Sequence, residues 1–410
     1  MSRLRGLAEF FGLRRSIVGL LTMAVLVGMG ERMAETFLPL YVLALGGWMF
    51  LPGLLNGMDN LLSALYSFPG GYLAEKLGLK RSLLVFDLMA AAGYVVVIVV
   101  PSWPAVFAGS VLFLSWTAIS LPATMGLVAR ALPKKKHVMG VTVHSLVRRV
   151  PMAAGPVVGG LFIVRFGLVD GVRLAFLAAL AMAAVAAVAQ QVFIEDDRKE
   201  AKDGAGNKPS PEKNPFRAFR RLSPSLRNLL VADVLVRFCE QIPYAYVAVW
   251  AARTVSDPVS EFDLGLLRAV EMGTAMLIYV PVAYLADRAH KKPFVLMTFC
   301  FFTAFPLVLL FSRSFWPLVG AFVVRGLKEF GEPTRKALIM ELAPEDAKAS
   351  AFGTYYLFRD VIVSLAALAS GFLWMIAPEA NLLVAFGFGV AGTLWFAATG
   401  RDAAGAGEPS

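Results

Sequence analysis

Cysteine, histidine and charged side chains are all scarce in this chain of 410 residues. It has two cysteines and three histidines, and only 17% of its residues are charged. Cys239 and Cys300 lie far apart in apolar segments, so no disulfide framework is indicated. The histidines and cysteines do not cluster, so the sequence predicts neither a metal site nor a cofactor. No phosphate-binding loop of the form G-x-x-x-x-G-K-[ST] occurs, and ATP hydrolysis is therefore unsupported.

Apolar sequence dominates instead. Hydrophobic residues make up 58% of the chain, and the mean hydropathy is +0.67. A soluble domain averages nearer half apolar and a quarter charged, so this composition indicates a membrane protein. A helix needs about 20 apolar residues to cross a bilayer. The sequence predicts an all-α membrane protein with twelve transmembrane helices, over residues 16–44, 50–74, 82–101, 104–131, 137–164, 172–193, 226–252, 262–286, 293–312, 315–341, 348–376 and 380–399.

A charged, proline-rich segment separates the first six predicted helices from the last six. The predicted domains are an N-terminal six-helix bundle over 1–194, a cytoplasmic linker over 195–225, a C-terminal six-helix bundle over 226–400 and a disordered tail over 401–410. Charged residues interrupt the first apolar run, and many more apolar runs follow it. It is therefore predicted to be a retained helix rather than a signal peptide.

Lysine and arginine are distributed unevenly between the two predicted sides of the membrane. If the chain starts inside, most of its 39 basic residues lie in or beside the inside segments. The outside segments hold only Arg165, Arg173, Arg253 and Arg313. This bias predicts a cell (inner) membrane protein with both termini in the cytoplasm. It also explains the net charge of +10 without a nucleic-acid partner.

One short motif occurs twice, 212 positions apart. Residues 71–76 read GYLAEK, and residues 283–288 read AYLADR. Upstream of the two copies, Asp59 corresponds to Glu271 at the same offset. Each copy lies where an apolar stretch gives way to basic residues. A duplicated half with matching buried carboxylates is typical of transporters, in which the site forms between two repeats.

The first copy continues to residue 81 as GYLAEKLGLKR and resembles the loop signature of the major facilitator superfamily, G-x-L-a-D-r-x-G-r-k-r. It departs from the signature in having Glu75 for aspartate and Leu79 for a basic residue, and the second copy loses both glycines. The resemblance implies the superfamily's two pseudo-symmetric six-helix bundles and alternating access. The residues that it implies for gating are Gly71, Glu75, Gly78, Lys80, Arg81, Asp287 and Arg288.

Charged residues inside the predicted helices mark the candidate site. Each costs about 2.5 kcal/mol or more at the membrane centre, so each must face a partner or a wet cavity. In 315–341 the charges recur at i, i+3, i+4 and i+7, which predicts one helical stripe from Arg325 to Glu332. The alternative is that many of these charges are structural pairs, such as Arg32 with Glu35 within one helix.

The candidate residues fall into two sets by chemistry. Protonation of a buried carboxylate can favour one access state over another. The candidates for proton coupling are Glu35, Asp59, Glu240 and Glu271. The candidates for binding an anionic or zwitterionic solute and its apolar part are Glu31, Arg32, Trp116, Asp233, Arg237, Tyr244, Arg325, Lys328 and Glu329.

The sequence favours a proton-coupled secondary transporter of a small organic solute, with the solute, protons and the lipid bilayer as partners and a monomer as the active form. In 137–164, a segment that begins at Gly155 partly resembles an antiporter motif, which favours efflux over uptake, although Gly155 and Gly159 also form a plain packing face. The alternative from another class is a non-transporting sensor or a lipid-handling protein on the same scaffold. No nucleophile–base motif supports an enzyme.

Overall fold

The structure is a computed structural model, and it describes residues 15–77, 79–114, 137–194, 219–220, 222–286, 290–343 and 348–402. Every regular element within these ranges is a helix, which confirms the predicted all-α class. Nearly all of the predicted linker and of the predicted tail lies outside the described residues. Trp116, Gly78, Asp287 and Arg288 lie outside them as well.

Seven helices precede the predicted linker within the described residues. Helix starts follow local chemistry: the Ser102 hydroxyl accepts a hydrogen bond from the Ala105 amide at 3.4 Å and caps the helix that begins at Trp103. Gly167 has a φ of +82°, which glycine adopts without strain, and it directly precedes the helix that begins at Leu168. The seven are α1 (Arg15–Glu35), α2 (Leu38–Ala44), α3 (Leu51–Leu77), α4 (Leu79–Val99), α5 (Trp103–Phe113), α6 (His137–Phe166) and α7 (Leu168–Phe193).

In the part of the chain that the structure describes, eight helices follow the predicted linker. The Ser223 hydroxyl accepts a hydrogen bond from the Leu226 amide at 3.2 Å and caps the first of them. A π-helical turn over Trp250–Thr254 follows the second. The eight are α8 (Pro224–Tyr244), α9 (Tyr246–Val249), α10 (Glu261–Ala286), α11 (Lys291–Phe311), α12 (Phe315–Leu327), α13 (Glu332–Leu342), α14 (Lys348–Ile376) and α15 (Pro378–Thr399).

Three stretches predicted as single helices are interrupted in the structure. The stretch 16–44 forms α1 and α2, 226–252 forms α8, α9 and the π-helical turn, and 315–341 forms α12 and α13 with a turn over 328–331. Proline lies at each break, as Pro39, Pro243 and Pro333, and proline lacks the amide that a continuous helix requires. The predicted continuous stripe in 315–341 is therefore wrong, because its last member begins a new helix.

Six helices among the described residues are long and apolar enough to cross a membrane. They lie in α4, α6, α7, α11, α14 and α15 and coincide with six of the twelve predicted spans. The helices α1, α8 and α10 carry several charged residues within their length. The twelve-helix arrangement stays a prediction.

The contacts divide the chain into two compact units. The first unit contains Met1–Gly47, Leu61–Lys208 and Ser260–Ala269. Within it, α1 packs against α6 and α7. The rings of Tyr94, Phe113 and Phe176 meet at centroid distances of 5.2 to 5.7 Å, and these buried aromatics form part of its core.

The second unit contains Trp48–Asn60, Pro209–Val259 and Val270–Ser410. Its α8 packs along α15 and also contacts α14 and α11. The core around α8 is apolar, with Leu229, Val236, Phe299 and Phe396 buried together. Polar groups on the remaining face of α8 must therefore find partners within the unit.

The glycine pair in α6 permits a close helix crossing inside the first unit. A Cβ atom on Gly155 would lie 2.7 Å from Cβ of Arg32, and one on Gly159 would lie 2.1 Å from the Met33 carbonyl oxygen. Both neighbours belong to α1. The structure thus confirms that these two glycines form a packing face, the alternative to the antiporter interpretation.

Replacement of Gly159 by alanine tests this crossing. Because the added methyl group meets rigid backbone of α1, Gly159→Ala should destabilise the fold by about 1–3 kcal/mol. The measurement is the thermal unfolding midpoint of purified protein in detergent. Gly387→Ala is the matched control, since a Cβ atom there meets nothing within 4 Å. Equal midpoints for the two variants would contradict the crossing.

Candidate functional site

Asp233, in the middle of α8, is a buried carboxylate with four side-chain partners. Its side chain is only 1% exposed. The Arg335 guanidinium donates a hydrogen bond to Oδ2, and the Tyr355 hydroxyl donates another at 2.9 Å. Arg359 Nη1 lies 3.7 Å from the same oxygen, and Arg237 Nε lies 3.8 Å from Oδ1. Three guanidinium groups and a phenol thus surround one buried carboxylate, which their charge and hydrogen bonds stabilise.

Arg237 extends these contacts along α8. Its Nη1 lies 2.6 Å from Oε2 of Glu240, so Asp233, Arg237 and Glu240 share one helix face, as their spacing predicts. Its Nη2 lies 3.3 Å from Glu332 Oε2. Arg335 also binds Glu332, with Nη2 2.7 Å from Oε1. Arg237 and Arg335 therefore join α8 to the start of α13.

Lys328 connects α8 to α10. Its Nζ lies 2.7 Å from Oε1 of Glu240 and 3.5 Å from Oε1 of Glu271. Glu271 also receives Arg325, whose Nε lies 3.2 Å from the same oxygen. All four side chains are at most 10% exposed. One ammonium group is thus shared by carboxylates from two different helices.

These contacts form one continuous network within the second unit. Arg359 adds Asp360, at 2.7 Å, and the half-exposed Lys336 reaches Glu332 from the edge at 3.5 Å. The buried charges balance, which limits the cost of removing them from water. The ion network, as named from here on, comprises the acids Asp233, Glu240, Glu271, Glu332 and Asp360 and the bases Arg237, Arg325, Lys328, Arg335 and Arg359.

Aromatic rings lie beside the cations of the ion network. The Arg325 guanidinium lies over Phe305 at 5.1 Å and over Tyr244 at 5.3 Å. Arg237 and Lys328 both lie over Phe302, at 5.1 and 5.8 Å. A cation this close to the face of a ring is attracted by the ring's quadrupole. The predicted candidate Tyr244 therefore contacts a candidate cation directly.

The candidates of α1 lie in the first unit. Arg32 Nη1 forms an ion pair with Glu35 Oε2 at 2.8 Å, which confirms the predicted pairing at i, i+3. Glu31 is buried, with 6% of its surface exposed. This unit therefore also holds one buried carboxylate and a partly buried ion pair, on a helix that packs tightly against α6.

Asp59 lies on the part of α3 that belongs to the second unit. Its neighbour Asn60 donates from Nδ2 to Gln241 Oε1 at 3.2 Å. Asn56 donates to the same oxygen at 3.2 Å. Because Gln241 directly follows Glu240, these amide hydrogen bonds connect α3 to the residue next to the ion network. The remaining candidate Glu329 lies in the turn after α12, where its amide donates to the Gly326 carbonyl at 3.2 Å.

Comparison with known proteins decides the family. No curated protein sequence matches this chain. The family model described as Major Facilitator Superfamily matches residues 20–367. The chain belongs to the Major Facilitator Superfamily. As a member of this transporter family with apolar membrane helices, it is a multi-pass membrane protein and not an enzyme.

Solved transporters share the fold. A crystal structure of the peptide transporter POT has a TM-score of 0.77 at 14% identity, covering 94% of this chain and 93% of the other. A POT family transporter in complex with 5-aminolevulinic acid has a TM-score of 0.76 at 11% identity, covering 94% and 95%. The nucleoside transporter NupG has a TM-score of 0.77 at 14% identity, covering 95% and 100%. At these identities the likeness establishes the Major Facilitator Superfamily fold alone.

Part of the superfamily's loop motif is described. Gly71 and Glu75 lie in the last turns of α3, and Arg81 is exposed near the start of α4. Lys80 Nζ donates to the Gln191 carbonyl at the end of α7, at 2.7 Å. A cation there favourably meets the negative end of that helix. Gln190 donates back to the Lys80 carbonyl at 2.7 Å, so the start of α4 is bound to the end of α7.

Four members of the ion network were not among the predicted site residues. Three of them contact predicted members directly, from positions about a hundred residues away in sequence or more. Arg335 stands three residues after Glu332, a helical spacing that indicates a pair, but it also counts toward the basic excess predicted for the inside segments. The four are Glu332, Arg335, Arg359 and Asp360. The Tyr355 hydroxyl, which donates to Asp233, was not predicted either.

Neutralising Asp233 tests the ion network. Asp233→Asn leaves buried guanidinium groups without their shared carboxylate, and breaking a buried pair costs about 3–5 kcal/mol. We expect a large fall in the thermal unfolding midpoint of the protein in detergent. Asp170→Asn is the control: its carboxylate is 70% exposed and pairs with Arg173 at 3.5 Å. An exposed pair contributes about 0–1 kcal/mol, so similar midpoints for the two variants would refute the importance of the network.

Proposed function

We propose that this protein is a proton-coupled secondary active transporter that moves a small organic solute by alternating access. Twelve transmembrane helices would form two pseudo-symmetric six-helix bundles, over 1–194 and 226–400, in the cell membrane with both termini in the cytoplasm. The observation that carries the proposal is the ion network, whose paired charges come from α8, α10, α13, α14 and the turn after α12. Family membership supports solute transport as the activity.

Glu240 is the coupling candidate whose ion pairs join two elements. Its carboxylate accepts from Arg237 at 2.6 Å and from Lys328 at 2.7 Å, on separate elements. Because both cations favour its charged form, it can take up a proton only when these ion pairs open. A proton on Glu240 removes the negative charge that both cations share, so they gain freedom to bind an anion instead. A proton or a solute can shift the population between access states only to the extent that it binds one state more tightly than the other.

The cations of the ion network favour a solute with an anionic or zwitterionic group. Arg325 and Lys328 offer charge-assisted hydrogen bonds to a carboxylate, and Tyr244, Phe302 and Phe305 offer ring faces to an apolar portion. Efflux as the direction rests only on the partial sequence resemblance of the segment at Gly155 to an antiporter motif, since the structure explains Gly155 and Gly159 by helix packing. The structural relatives include a peptide transporter and a nucleoside transporter, which likewise move small organic solutes.

A thermal-shift screen tests the solute class. Purified protein is heated with panels of small carboxylates, zwitterions, cations and neutral compounds at two pH values. A ligand at a hundred times its Kd stabilises the folded state by about 2.7 kcal/mol. We expect carboxylates or zwitterions to raise the unfolding midpoint, with a shift that depends on pH. Stabilisation by cations alone would contradict the proposed site.

Two carboxylate variants test proton coupling in liposomes, with a labelled compound found by that screen. Glu240→Gln and Glu35→Gln keep the size of each side chain but cannot release a proton. Both should remain folded and lose pH-driven accumulation, falling to the level of empty liposomes. The control is Asp170→Asn, which lies on an exposed pair and should accumulate the compound normally. Full pH-driven activity in both glutamate variants refutes the coupling assignment.

A further inference from the structure

One cation of the ion network, Lys328, lies outside a helix. It follows the end of α12 with φ and ψ of −55° and −24°, in the turn over residues 328–331 that leads into α13. Its ammonium lies 2.7 Å from Glu240 of α8 and 3.5 Å from Glu271 of α10. The position of the turn therefore bears on the distances from the ammonium to both carboxylates.

Two glycines bracket this turn and press it against neighbouring helices. A Cβ atom on Gly326 would lie 2.5 Å from the Glu271 carbonyl oxygen of α10. One on Gly331 would lie 2.4 Å from the Phe294 carbonyl oxygen of α11. Gly331 has a φ of −113°, which any residue can adopt, so close approach is what requires glycine there. The turn is thus held on both sides by backbone.

Thr298 supplies a directional side-chain contact at the end of the turn. The threonine lies on α11, one helical turn after Phe294, and is fully buried. Its hydroxyl oxygen accepts a hydrogen bond from the Gly331 amide at 2.5 Å. Phe330, in the turn, stacks on Phe294 of α11, with ring centroids 5.9 Å apart. A hydrogen bond fixes the orientation of the peptide in a way that apolar packing does not.

We propose that Thr298 is a positioning residue for Lys328. Its hydroxyl anchors the Gly331 amide, and this anchor sets the turn that places the Lys328 ammonium between Glu240 and Glu271. Thr298 acts on the ammonium through the turn rather than through the two carboxylates. The role concerns the resting ion network, so it holds whichever solute the protein moves.

A double-mutant cycle tests the proposal without a substrate. Thr298→Val, which keeps the shape but removes the acceptor, is made alone and together with Lys328→Met. The unfolding midpoint and hydrogen exchange of the 328–332 backbone are measured on the full-length protein in detergent. We expect Thr298→Val to lower the midpoint by several degrees and to speed exchange in the turn. With Lys328→Met present, the drop in midpoint should be less than half as large. Thr298→Ser, which keeps the hydroxyl, should restore both readouts.

Equal drops with and without Lys328 would overturn the proposal, because Thr298 would then act on stability alone. So would a Thr298→Ser variant that behaves like Thr298→Val. If Thr298→Val does not fold, Thr298→Ala takes its place in the cycle. The matched control is Thr303→Val on the same helix, whose hydroxyl bonds Phe299 and Thr393 at 2.8 and 2.9 Å. Its effect should be the same in both backgrounds.

Discussion

The charge of Asp233, buried on an apolar helix, constrains the arrangement of the whole second unit. A carboxylate withdrawn from water is tolerated only where cations and donors replace its hydration. Here those groups come from α13 and α14 as well as from α8, so the three helices must meet at this point. Each arginine that serves Asp233 also binds a second carboxylate, and Lys328 passes the same requirement on to α10. The helices are therefore held by a set of charges whose members stabilise one another.

The same constraint would connect stability with the proposed proton coupling. A balanced ion network has little reason to bind a further charge, but a proton on one carboxylate would leave an uncompensated cation in a weakly screening environment. Glu240 holds two such cations from different elements. Its protonation would therefore favour the binding of an anion and loosen the connection between α8 and the turn after α12. Ligand binding and helix movement would then share one cause.

Local spacing predicted local contacts well and distant ones poorly. The i, i+3 and i+4 spacings in α1 and α8 predicted that Arg32 meets Glu35 and that Arg237 lies with Asp233 and Glu240. The contact of Asp233 with Arg335 joins helices about a hundred residues apart, which no periodicity encodes. The break after α12 was missed because four charges there mimic one helical stripe. A glycine and a proline close together at that point were its only local signal.

Lys328 lies at the end of α12 with helical φ and ψ of −55° and −24°, and its ammonium lies near two carboxylates of other helices. The turn that follows leaves backbone amides without helical partners, and such amides are costly in a membrane unless protein groups satisfy them. The Thr298 hydroxyl accepts a hydrogen bond from the Gly331 amide, and the Leu327 carbonyl accepts one from the preceding amide, that of Phe330. The Thr298 hydroxyl and the Leu327 carbonyl thus satisfy the backbone of the turn that follows Lys328, and through that turn they support the ion network.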